Sequence, residues 1–95
     1  MDDGEFQWDD RKASQNAAKH GITFEMARDV FSDPFVIEWL DDGQDASEQR
    51  FTALGMSEQR ILFVAYTLRG DAIRIISARR AESTERRRYH DENQT

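Results

Sequence analysis

A chain of 95 residues with 19 acidic against 13 basic side chains, and a net charge of −6, is one small domain (1–95) ill-suited to bulk nucleic-acid binding. With no cysteine, disulfide frameworks and thiolate chemistry are excluded. No apolar run nears the ~20 residues of a membrane span, and no basic segment leads into an apolar one, so neither membrane insertion nor a signal peptide is expected and the location reads as cytoplasmic.

Two Trp, two Tyr and six Phe exceed what a disordered chain usually carries, which points to a folded domain with a thin core. Residues 5–8, "EFQW", read as a short strand with Phe6 and Trp8 on one face. Residues 9–20 read as a helix: Asp9 or Asp10 can cap it, Lys19 and His20 complement its negative end, and Gly21 stops it. Thr23 caps a second helix, 24–32, whose apolar face is Phe24, Ala27, Val30 and Phe31, and Pro34 ends it. Strands follow at 35–40, 50–57, 60–68 and 72–78. Between the first two lies a polar loop, 41–49; "EQ" and "RGD" make the later turns. Strand 60–68 is apolar on both faces and therefore central. A last helix, 83–92, starts with Ser83 as its cap. The order β-αα-ββββ-α predicts an α+β domain with two helices packed on an antiparallel sheet. Phe35, Val36, Trp39 and Leu40 put large apolar groups on both faces of one strand, more than a domain this small covers alone.

Charge is distributed unevenly. Residues 69–88 hold seven arginines against three acidic residues, a surplus of four. The remainder holds six basic and sixteen acidic residues, a deficit of ten. Eleven of the thirteen basic residues are Arg, which grips phosphate with two parallel donors where Lys offers a point charge. An acidic body with one basic face suits local capture of an anion.

Arg74 lies inside an apolar strand, where an unpaired charge is costly. It must reach solvent, a ligand, or a carboxylate such as Glu38, Glu48 or Asp71. Arg79 and Arg80 are neighbours at a strand end and so point to opposite sides. Glu48 and Arg50 bracket the start of a strand; they are an exposed ion pair or a carboxylate base beside a phosphate-binding arginine. Arg86 and Arg87 sit on the last helix, where such a run is ordinarily a solvated face. His20 reads as complementing a helix end, and Tyr89 as a packing residue. No metal-ligand spacing, phosphate loop, dinucleotide fingerprint or serine elbow is present, so neither metal nor cofactor is expected.

The segments "F-x-W-D" (6–9), "N-x-x-K-H-G-I-T-F" (16–24), "A-x-x-V-F-S-D-P" (27–34), "R-F-x-x-L-G" (50–55), "R-I-I-S-A-R-R-A" (74–81) and "E-R-x-x-Y" (85–89) together resemble the BrnT family. These are toxins of BrnT/BrnA type II toxin–antitoxin systems. The resemblance implies a RelE-like fold and a metal-independent endoribonuclease that inhibits translation. It also implies a BrnA-like antitoxin partner in a two-to-two complex, with DNA reached only through that antitoxin. On this reading Arg50, Arg74, Arg79 and Arg80 handle the scissile phosphate and Glu48 is the base. Lys19, Arg86 and Arg87 hold RNA backbone. Family members often carry a histidine or other basic residue in the loop before the "E-x-R-F" segment; by spacing Gln44 stands there, and an amide cannot act as acid or base near neutral pH. The reading from a different class is a non-catalytic toxin-fold subunit that binds its antitoxin and serves transcriptional autoregulation.

Overall fold

The structure, a computed structural model, describes residues 1–41 and 48–94. Gln44 therefore lies outside the described residues. Asp9 accepts hydrogen bonds from the backbone N–H groups of Arg11 and Lys12 and so starts helix α1, Asp10–His20. Gly21 ends it in the left-handed region, φ 70°, with its N–H on Ala17 O at 2.8 Å. Thr23 then caps helix α2, Phe24–Val30, through the Met26 N–H.

The expected helix to residue 32 stops two residues early. Ser32 and Asp33 turn back onto Asp29 and Val30, and Asp33 accepts from Phe35 N–H, so the chain has left the helix before Pro34. The next turn consumes Phe35 and Val36, and strand β2 is Ile37–Leu40 rather than 35–40.

Strands β3 (Phe51–Ser57), β4 (Arg60–Arg69) and β5 (Ala72–Arg80) follow as an antiparallel meander. The opening strand, β1, is only Phe6–Gln7, and it runs parallel to β5. The sheet order is β1-β5-β4-β3-β2. The sheet is thus mixed rather than antiparallel throughout, because the chain begins alongside the free edge of its last strand. β4 is the middle strand, as its two-sided apolar pattern predicted. β5 runs two residues past the expected 78 and takes in Arg79 and Arg80, which pair with Phe63 and Leu62. A bulge opposite Ala65 and Tyr66 shifts its register. The last helix, α3, is Ser83–Glu92, but its cap is Glu82, whose N–H donates to Glu85 Oε1 at 2.8 Å. Among the described residues the fold is three helices and a five-stranded sheet, an α+β domain, and no helix is long and apolar enough to cross a membrane.

One face of the sheet carries α1 and α2. Ile22, Phe24, Ala27 and Val30 bury against Ala53, Leu62, Val64, Tyr66 and Ile75. Full burial of side chains of this size contributes about 1.5–3 kcal/mol each. Asn16 is the polar member of this interface. Its amide donates to Ile22 O and Ala78 O and accepts from Ala78 N–H, which ties α1 to β5. Gly55 lets α2 close on the sheet: a Cβ there would meet Val30 Cγ1 at 2.8 Å.

The other face carries α3, where Tyr89 packs with Leu54, Ile61 and Ala81. Phe35 is 56% exposed and Leu40 43%, while Val36 and Trp39 are half-buried. The four apolar groups of that segment are therefore only partly covered by the chain's own core.

Candidate anion-binding groove

β5 ends where β4 begins, because the two strands are antiparallel. Leu62 is the cross-strand partner of Arg80, and Ala81 N–H continues the ladder onto Ile61 O at 2.9 Å. The β3–β4 hairpin turns in two residues, Glu58 and Gln59, with φ 50° and 65°. The pairing of β4 with β5 sets Arg60, the residue before Ile61, beside the end of β5. α3 then leaves Ala81 and passes back over the sheet end. Arg86 Nη1 donates to Ala81 O at 2.7 Å.

These elements enclose an open groove of about 310 Å³. Its floor is Met56, Ile61 and Ala81, and its polar lining is Gln59, Arg60, Arg80, Arg86 and His90. Among the described residues no carboxylate lines it. Three arginines and a histidine beside an apolar floor are a donor set that can hold an anion.

Arg79, next in sequence to Arg80, points elsewhere. Its Nη1 and Nη2 bind Glu85 Oε1 and Oε2 at 2.8 and 2.9 Å, Nη1 also reaches Arg80 O, and its guanidinium lies 4.1 Å from the Phe63 ring centroid. The Arg79 hydrogen bonds hold the Glu85 carboxyl below its ordinary range, against an opposing push from burial. Glu85 is therefore an anion whose partner is already in place. Arg79 fastens α3 to the sheet.

The remaining predicted residues are spread over the molecule. Glu48 pairs with Arg69 at 3.3 Å, at the far end of β4. Arg60 and Arg69 are the two ends of that strand, which at ~3.3 Å per residue separates them by roughly 30 Å. Arg50 precedes β3 at the same far end, its carbonyl accepting from Asp41 N–H. Arg74 is half-buried and pairs in register with Gln7 and Thr67; six residues of strand set it about 20 Å from Arg80. The Asp9 carboxyl, held low chiefly by the Lys12 N–H, is lowered further by the charge of Arg74. Lys19 lines a separate groove with Lys12, Gln15, Asn16, His20, Ile76 and Ser77. Arg87 is exposed on α3. The structure thus brings Arg80 and Arg86 together, adds Arg79 as their neighbour, and leaves Glu48, Arg50, Arg74 and Lys19 outside the groove.

Arg60, His90 and Gln59 belong to the lining and were not singled out from the sequence. Two signals pointed to them. Two antiparallel strands joined by the short "RGD" turn put the first residues of β4 beside the last of β5, and His90 is four residues from Arg86 on one helix face.

A family model described as "Ribonuclease toxin, BrnT, of type II toxin-antitoxin system" matches residues 8–85. No curated protein matches the chain.

Proposed function

We propose, because the chain belongs to the BrnT family of ribonuclease toxins of type II toxin–antitoxin systems, that it is an endoribonuclease that cleaves RNA in the groove at the end of β5 without a metal ion, and thereby inhibits translation in the cytoplasm. The observation that carries this reading is the convergence of Arg60, Arg80, Arg86 and His90 on one open groove.

The reaction suits that donor set. A ribose 2′-oxygen attacks the adjacent phosphorus and loses its proton. The bond from phosphorus to the 5′-oxygen breaks, that oxygen gains a proton, and a 2′,3′-cyclic phosphate remains. Negative charge builds on the non-bridging oxygens in between. Arg80 and Arg60 face that charge, and each fixed contact of this kind is worth about 10²–10³-fold in rate. Arg86 reaches the phosphate or its neighbour. His90 is the lining residue of the kind that most often serves as general acid or base. Glu48, the base expected from the sequence, is held by Arg69 at the other end of β4, so the proton transfer falls to His90. Arg79 keeps α3 in place. Arg87, and Lys19 with Lys12 on α1, hold more distant RNA backbone, where each contact adds salt-dependent affinity.

An antitoxin partner follows from family membership. We assign it a BrnA-like identity and a two-to-two assembly, in which it blocks RNA access to the groove. The test is inducible expression with and without the antitoxin. Growth arrest with RNA cleavage that the antitoxin relieves is the expected result. Unimpaired growth with the toxin alone overturns the catalytic reading and favours an autoregulatory subunit.

A further inference from the structure

We infer that Asp33 is a positioning residue for the groove, acting through Tyr89 to set the orientation of Arg86 and His90; this rests on the groove being the RNA-cleaving site. Asp33 lies in the turn after α2 and does not line the groove. Its carboxylate nevertheless ties together three separate segments, the turn before β2, the end of β3 and helix α3. Oδ2 accepts from the Tyr89 hydroxyl at 2.5 Å and from Met56 N–H at 2.8 Å, and Oδ1 accepts from Phe35 N–H at 2.9 Å. Met56 is part of the groove floor.

α3 depends on this bond more than an ordinary helix would. Tyr89 is its one buried residue, so little apolar surface fixes how the helix is rotated about its axis. Rotation is what decides where Arg86 and His90 point, since they lie three residues before and one residue after Tyr89. The His90 ring also meets the Tyr89 ring edge-to-face, with centroids 5.5 Å apart. A shift of the Tyr89 ring therefore carries both groove residues with it. At the helix end Asn93 donates to Phe35 O and Tyr89 O, which links the same turn to the same helix.

The carboxylate is built to stay charged while it does this. Burial pushes the Asp33 carboxyl up, but the donors on Tyr89, Phe35 and Met56 outweigh that and hold it below its ordinary value. Burial, with the neighbouring Asp33, pushes the Tyr89 hydroxyl up to about 12, so it remains a donor.

The experiment compares the full-length protein with Tyr89→Phe, which keeps the ring and removes the hydroxyl, and with Asp33→Asn, which keeps the shape and removes the charge. RNA cleavage kinetics, melting temperature and the His90 ring resonance in the NMR spectrum are read on each. The expected result is a kcat lowered about 10–100-fold, the scale of a sub-ångström to ångström misplacement, with a smaller change in KM and a displaced His90 resonance. A purely structural role predicts a lower melting temperature with kcat per folded molecule and the His90 resonance unchanged; that result in both variants overturns the inference. Should the wild-type protein cleave no RNA, the catalytic reading of the groove fails, and the His90 resonance alone then decides whether Asp33 positions it. Should Tyr89→Phe fail to fold, Asp33→Asn is read by the same criteria.

Discussion

Arg79 and Glu85 form a two-pronged ion pair, 2.8 and 2.9 Å, that joins the last turn of β5 to the first turn of α3. Both side chains are less than a third exposed, so the pair is screened less than a surface one. Arg79→Ala leaves Glu85 with only the Glu82 N–H and costs about 1–2 kcal/mol. In a domain of this size that lowers the melting temperature by roughly 4–16 °C. Calorimetry of Arg79→Ala beside Arg80→Ala checks it: the first is expected to lose stability, the second to keep it.

The same pair makes stability depend on pH. Glu85 has its carboxyl lowered from the model-peptide value of 4.5, first by the Arg79 hydrogen bonds. A depressed folded-state value contributes stability that is present above the unfolded-state value and lost as pH falls through the folded one. Asp33, also lowered, adds to the same trend. Melting temperature is expected to hold from pH 7 to about 5 and fall below about 4.5. The gap between wild type and Glu85→Gln should close over that fall. A gap that stays constant from pH 7 to pH 3 would show that Glu85 is not the titrating partner.

Gly55 faces Val30 across the α2–sheet contact. A methyl group there stands 2.8 Å from Val30 Cγ1 and 3.1 Å from Val30 O. Helix α2 must move to accept it. Gly55→Ala is expected to cost about 1–3 kcal/mol, read as a lower urea midpoint with an unchanged slope. The double substitution Gly55→Ala, Val30→Ala should recover part of the loss that belongs to the clash with the side chain.

The Glu58–Gln59 turn carries two non-glycine residues in the left-handed region. Asn-Gly adopts that hairpin turn with less strain. Glu58→Asn with Gln59→Gly is expected to raise stability by about 1 kcal/mol. Thermal melts settle it, and a lower melting temperature would mean that the Gln59 side chain holds the turn.

Most of the fold was legible because its signals were local. Asp9, Gly21 and Thr23 mark helix ends through bonds to residues within four positions, and the two-sided apolar run of β4 fixed the centre of the sheet. What failed was set by tertiary contacts. α2 ends early because Asp33 turns to Phe35, Met56 and Tyr89, two of them more than 20 residues away. Ser83 lost the cap of α3 to Glu82 because Glu85, held by Arg79, also reaches back. β1 runs parallel because it borrows the edge of β5, 67 residues on.

The groove was half legible for the same reason. Arg80 and Arg86 stood out as a cluster in sequence, and family motifs reinforced them. Arg60 comes from a segment that carries no other basic residue nearby, and only the register of β4 on β5 delivers it. Arg74 belongs to β5 but lies six residues before Arg80, and Glu48 and Arg50 precede β3 at the opposite end of the sheet. Arg79 and Arg80 look equivalent in sequence; alternation along β5 turns Arg79 to the α3 face, where Glu85 takes it, and leaves Arg80 at the strand's end on the side of its partner Leu62, from where it lines the groove.

Whether the groove cleaves RNA through Arg80 without a metal is decided by the cleavage rate of purified Arg80→Ala relative to wild type in buffer containing EDTA. Wild type is expected to cleave under these conditions, and Arg80→Ala to be slower by ~10²–10³-fold with its melting temperature preserved. Arg80→Lys should recover part of the rate, since it restores the charge without the two-pronged grip. Wild-type cleavage that vanishes in EDTA, or full activity in Arg80→Ala, would contradict it.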